Sequence, residues 1–163
     1  MSMKKIILAV IAVMLTASIA YGGGIARNNP GNIVKTGALW EGQVPTKGRF
    51  VKFESAHHGL RAIAVVLIRY QQWHQIKTVE KLTARWAPEF ENNTSEYENF
   101  IARALGVYTK SPIWITHHLP DIVKAIVHFE NGENPYSDDE IIAACEDALD
   151  HCGITGYWRI NFN

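Results

Sequence analysis

Between Ser55 and Trp73 the apolar residues Leu60, Ile63, Ala64, Leu67 and Ile68 recur at three- and four-residue intervals. That spacing lines one face of an α-helix and does not suit a strand. Arg61 and Arg69 fall between the apolar positions and are available to other faces, Arg61 for a structural salt bridge to a buried carboxylate or for a substrate contact. Four shorter segments with comparable helix signals follow. Thr78 to Trp86 stops before Pro88, because the residue ahead of a proline is pushed out of helical conformation. Ser95 with Glu98 forms a capping box, and Gly106 closes the helix that runs to Leu105. Pro120 suits a first helical position, and Ile122, Val123, Ile126 and Val127 form the stripe of a helix reaching Phe129 or Glu130 before Gly132. Ser137 with Glu140 forms a second capping box, opening a helix to about Cys152 with Gly153 as its stop. Ahead of these helices, Asn28-Asn29-Pro30-Gly31-Asn32 is a dense turn cluster. The stretch from Ile33 to Phe53 reads as short strands near 33–35, 39–41 and 49–53, forming a hairpin. Five helices and a small hairpin predict a mainly α, α+β domain.

The N-terminus stands apart. Lys4 and Lys5 precede the uncharged run Ile6–Ala20, and Ser18-Ile19-Ala20 places small residues at −3 and −1 of a cut. This is the layout of a secretory signal peptide over residues 1–20. The run is 15 residues, short of the ~20 that span a bilayer comfortably. An uncleaved anchor is the alternative, and no lipobox cysteine follows. Cleavage after Ala20 leaves one domain, 21–163, with 14 basic and 16 acidic residues. The whole chain has 163 residues and no formal net charge, which excludes a general nucleic-acid binder.

Seven histidines include no ligand spacing such as His-Glu-x-x-His, so no metal or other cofactor is expected. Cys145 and Cys152 stand seven apart. On one helix their Cα atoms lie ~10 Å apart, beyond the roughly 4.4–6.8 Å of a disulfide.

The most informative segment is Ile126-Val127-His128-Phe129-Glu130-Asn131-Gly132-Glu133-Asn134-Pro135-Tyr136. A carboxyl at a helix C-terminus faces the negative end of the helix dipole. Flanking Phe129 and Tyr136 would strip it of water. Both effects favour the protonated form that a general acid needs near neutral pH. A solvated glutamate at a helix end is the plain alternative.

Three resemblances meet here. Glu130 with Asn134-Pro135 resembles the Glu-Ser-Gly-x-x-Asn-Pro segment of lytic transglycosylases in the lysozyme superfamily, whose glutamate is the sole acid/base. Asn28–Ile33, Trp40-x-Gly42, Phe53, Gly59 and Ala62 resemble bacterial glucosaminidase domains, as does Thr94–Tyr97, where the family's tyrosine lies in the cleft. In both families the glutamate precedes the Asn-Asn stretch, so their resemblance implies a circularly permuted lysozyme-like fold. The broadest resemblance, over about residues 25–140, is to a group of phage and prophage proteins. It rests on Arg27–Ile33, Trp40–Gly42, Gly59–Ala62, Arg85–Pro88, Glu91–Tyr97 and Glu130–Tyr136. Members are likened to the lytic enzyme of enveloped double-stranded-RNA phages, a muralytic virion protein with a lytic-transglycosylase-like fold, described as an endopeptidase. They carry His directly before the glutamate, where this chain has Phe129, with His128 one place earlier.

The resemblance implies an exported peptidoglycan hydrolase, a lytic transglycosylase or muramidase that cuts the β-1,4 glycan bond. Glu130 is its expected acid. Glu91 is a second catalytic carboxylate only at ~6.5–9.5 Å (inverting) or ~5–5.5 Å (retaining) from Glu130. Tyr97, Asn32, Asn93, Trp40 and Tyr136 are the expected substrate contacts. The expected partner is the glycan strand, met by a monomer in the periplasm, tethered by residues 6–20 if these are uncleaved, or in a virion. A peptidoglycan endopeptidase and a non-catalytic virion or wall-binding protein are the competing readings.

Overall fold

In the computed structural model, helix boundaries follow the side chains able to satisfy free backbone groups at helix ends; the structure describes residues 23–87 and 94–155. The 1–20 segment, Glu91 and Asn93 lie outside the described residues. A single helical turn, α1 (Gly23–Ala26), leads into the Asn-rich turn. Strands β1 (Gln43–Val44) and β2 (Lys52–Phe53) pair antiparallel, with Gln43 opposite Phe53. Then come α2 (Ala56–His74), α3 (Val79–Trp86), α4 (Thr94–Leu105), a 3-10 turn at Ile115–His118, α5 (Leu119–Asn131) and α6 (Asp138–His151). The architecture is mainly helical with one small antiparallel sheet.

Three sequence expectations need correction. Strand pairing begins after residues 39–41, because a turn from Trp40 to Gln43, with Gly42 at φ 68°, delays it to Gln43. Residues 33–35 contribute a single bridge, Val34 to Phe50. Ser95 is not a cap: Thr94 is already helical, and its hydroxyl donates to the Ala87 carbonyl at 2.9 Å. The other boundaries agree with the sequence reading. Ser55 caps α2, Thr78 caps α3, and Ser137 with Glu140 forms a complete capping box on α6. Gly132, at φ 76°, ends α5 in a left-handed turn that a Cβ would oppose.

The core is built around α2. Every residue from Gly59 to Ile68 is buried, so the helix is enclosed on all sides and has no solvent face in that stretch. Its most extensive partner is α6, and α5, β2 and the 3-10 turn close around it. Arg61 is therefore an internal cation. It bonds Asp147 of α6 at 2.9 Å and Glu41 of the hairpin turn at 2.8 Å, and Asp147 also holds His57 at 3.0 Å. Cys145 lies inside α6 and Cys152 at its C-cap, both as free buried thiols. No helix among the described residues is long and apolar enough to cross a membrane.

Candidate functional site

Two asparagines with positive φ, Asn28 at 52° and Asn32 at 50°, bend the chain after α1; asparagine tolerates that region better than other side-chain-bearing residues. The fully buried Asn29 holds the turn from inside. Its amide donates to the carbonyls of Ile33 and Val51 at 2.9 and 2.8 Å and accepts from Ile33 N–H at 2.8 Å. Asn28 donates to the Phe53 carbonyl at 3.1 Å. Gly59 permits the turn to lie on α2, since a Cβ there would sit 1.9 Å from the Asn28 carbonyl oxygen. Asn131 ties the turn to the end of α5 by donating to the Pro30 carbonyl and to its own helix at Val127, both at 2.8 Å.

That arrangement brings Asn32 to Glu130, 98 residues away. Asn32 Nδ2 donates to Glu130 Oε2 at 3.0 Å. Tyr97 OH donates to Oε1 at 3.0 Å, and Trp86 Nε1 to the same oxygen at 3.3 Å. Tyr97 and Trp86 are fully buried, at 0% exposure. The Tyr97 ring stacks on Phe129 with centroids 3.9 Å apart, and Phe100 meets Phe129 edge-on at 5.5 Å. Glu130 keeps partial exposure as a residue, yet its carboxyl is buried where Asn32, Trp86 and Tyr97 bond it.

The electrostatics follow from that enclosure. Burial raises the Glu130 carboxyl from an ordinary 4.5 to about 7, against the lowering effect of the donors Asn32, Trp86 and Tyr97. No cation bonds to it among the described residues. Burial, reinforced by the neighbouring Glu130 charge, holds the Tyr97 phenol well above its usual 10. The site thus holds one proton near neutral pH on a carboxyl backed by uncharged donors. No three His, Cys, Asp or Glu side chains among the described residues cluster to hold a metal ion.

Of the sequence-derived candidates, the structure joins Glu130, Tyr97 and Asn32. Trp40 and Tyr136 do not join them: Trp40 Nε1 and Tyr136 OH have no hydrogen-bond partner among the described residues. Both are partly buried against the core, and burial pushes the Tyr136 phenol upward. Glu133, three residues beyond Glu130, is exposed. The residues missed were Trp86, Arg27, Asn29 and Asn131. Trp86 and Arg27 stand inside motifs already noted, but a tryptophan ending an amphipathic helix reads as core, which it also is.

Fold and site together define a small, mainly helical protein built around one shielded carboxylic acid at a helix end. The chain belongs to the family of Protein P5 of Pseudoalteromonas phage PM2, to which it is 37% identical over 123 residues, covering 72% of this chain and 76% of that protein. No family model matches the chain.

Proposed function

We propose that this protein cleaves peptidoglycan at the β-1,4 glycan bond, as a lytic transglycosylase or muramidase with a circularly permuted lysozyme-like fold. The observation that carries the reading is the Glu130 carboxyl, raised to about 7 and held by Asn32, Tyr97 and Trp86. A group that is half protonated near neutral pH can both give and retake a proton there. Kinship with a phage protein suits the reading, since a phage must pass its host's wall. Export through residues 1–20 belongs to the same proposal.

In this mechanism Glu130 passes its proton to the glycosidic oxygen as the C–O bond breaks and the bonding pair moves onto that oxygen. The carboxylate left behind is stabilised by its three donors, so the charged state formed during the reaction is already solvated by the protein. It then takes a proton from the attacking hydroxyl, which is the substrate's own 6-hydroxyl in a transglycosylase and water in a muramidase. Glu91, the other carboxylate the sequence offers, lies outside the described residues, and the single-glutamate route needs Glu130 alone.

The test is digestion of purified peptidoglycan followed by mass spectrometry. Wild-type protein is expected to release anhydro or reducing sugar ends. Glu130→Gln is expected to lose at least ~10² in rate, while Glu133→Gln retains it. New amines without new sugar ends would mean a peptidase. An intact wall would leave a binding protein.

A further inference from the structure

The oxygens of Glu130 are not equivalent. A carboxylate offers about four lone-pair sites, two on each oxygen. Both sites of Oε1 are taken by Trp86 Nε1 and Tyr97 OH. Both of those donors are fully buried, and among the described residues Oε1 is the acceptor the structure gives the Tyr97 hydroxyl. Protonating Oε1 would strand a buried donor, which is costly. Oε2 receives one donor, from Asn32. Its second lone pair is therefore the place for the proton.

What Asn32 shows to Oε2 depends on which way its amide points. The two orientations have nearly the same shape and opposite chemistry. The choice is made one residue further back. Arg27 Nη2 donates to Asn32 Oδ1 at 3.2 Å. A guanidinium is a donor only, so it must face the amide oxygen, and the amide nitrogen must then face Glu130. Arg27 is itself held in place. Its guanidinium lies 4.9 Å over the Phe50 ring, and its backbone carbonyl accepts from Phe53 N–H at 3.1 Å.

We propose that Arg27 is a positioning residue that acts through Asn32: it fixes the Asn32 amide with its N–H toward Glu130 Oε2, so that the proton on Oε2 is not captured by the amide oxygen and stays free for transfer. The role in transfer rests on Glu130 being the acid of the proposed reaction; the amide geometry does not. Among the described residues the groups facing Glu130 are few. Tyr97 comes from α4, non-titrating Trp86 from α3, and Asn32 with Arg27 behind it from the first turn. His128 of α5 stacks on Phe100. The buried cation of α2, Arg61, is committed to Glu41 and to Asp147 of α6.

Without Arg27 the amide can turn its oxygen toward the protonated acid. That orientation favours the neutral carboxyl and disfavours the carboxylate, so the titration midpoint of Glu130 must rise. The experiment is an NMR titration of the Glu130 side-chain carboxyl carbon, assigned by its absence in Glu130→Gln. Arg27→Met, which keeps an unbranched stem over Phe50, is expected to raise the midpoint by about 0.5–1 pH unit, the size of one neutral hydrogen bond. Arg27→Lys, still a donor, is expected to restore it. In an Asn32→Ala background Arg27→Met is expected to shift nothing. An equal shift in that background would mean that the Arg27 charge acts directly through space, and would overturn the proposal. So would an unmoved midpoint in folded Arg27→Met. A reading that needs no variant is the Asn32 side-chain amide of the wild type. Its N–H signals must titrate with Glu130, and signals indifferent to pH between 5 and 9 would overturn the proposal on their own. Wild-type protein that passes these titrations but leaves peptidoglycan intact would refute the hydrolase reading and keep the positioning role.

Discussion

Replacing Glu130 with Gln removes one titrating group and almost nothing else of its shape, so its effect on stability can be worked out as a function of pH. In the unfolded chain the carboxyl titrates near 4.5, and in the folded protein near 7. Between those values the folded state holds a proton that the unfolded state has released, so raising the pH favours unfolding. The wild type is therefore at its best below 4.5 with respect to this group, loses stability across the interval, and has lost the full amount above 7. At ~1.4 kcal/mol per pH unit the loss is about 3 kcal/mol. Gln carries no such dependence. It has a cost of its own, because its amide nitrogen would meet the Asn32 nitrogen that now donates to Oε2. Two donors face to face forfeit about 1 kcal/mol.

The curves should therefore cross. They meet near pH 5: at pH 3.5 the variant is expected to be about 1 kcal/mol less stable than wild type, and at pH 8.5 about 2 kcal/mol more stable. Urea unfolding followed by circular dichroism at half-unit pH steps reads the difference directly. All other titrating groups are shared and drop out of the comparison. A gap between wild type and Glu130→Gln that stays flat from pH 5 to 9 would show that Glu130 does not titrate in this range. The proton-holding argument would then fall, whatever the variant does to activity.

Two further outcomes follow from the packing. Gly59→Ala puts a methyl 1.9 Å from the Asn28 carbonyl oxygen, and neither backbone can yield without moving the Asn-rich turn; urea melts should show a loss of about 3 kcal/mol, and Asn32 should leave Glu130. Asp147→Asn weakens the hold on the buried Arg61, which should cost about 2 kcal/mol, less than a wholly buried pair because Asp147 is partly exposed. Burial alone would raise the Asp147 carboxyl, but His57 and Arg61 hold it below its ordinary 3.8. The stability it adds is therefore complete above 3.8 and is lost as the pH falls below that, so acid unfolding of Asp147→Asn should show a shallower slope there than wild type.

The helices were legible because their signals are local. A cap, an apolar stripe and a glycine stop all lie within a few residues of one another, and Ser55, Thr78, Ser137 and Gly132 act as those signals require. The sheet was less legible, since its register depends on where the Gly42 turn releases the chain. Arg61 shows the limit of periodicity. A lone arginine between apolar positions suits a structural salt bridge or a substrate contact alike; because α2 is enclosed all round, it is matched by a carboxylate from α6. Nothing near Arg61 in the sequence points to Asp147.

The site divides along the same line. Glu130 could be singled out because its unusual feature is local: a carboxyl at a helix end beside an aromatic residue. Its partners come from three other places in the chain, and the contact with Asn32 spans 98 residues. Resemblance named Asn32 and Tyr97 as site residues without saying what they touch. Trp86 and Arg27 were hidden for opposite reasons. The tryptophan has an ordinary core role that accounts for its presence, and its indole N–H makes the functional contact from the edge of that core. The arginine never touches the acid, and its effect passes through one amide whose orientation no sequence records. A raised acid needs neighbours that are neutral and fixed in direction, and a fixed direction needs a second layer. Here that layer is Arg27 behind Asn32, and Asn131, adjacent to Glu130, bracing the turn that carries them both.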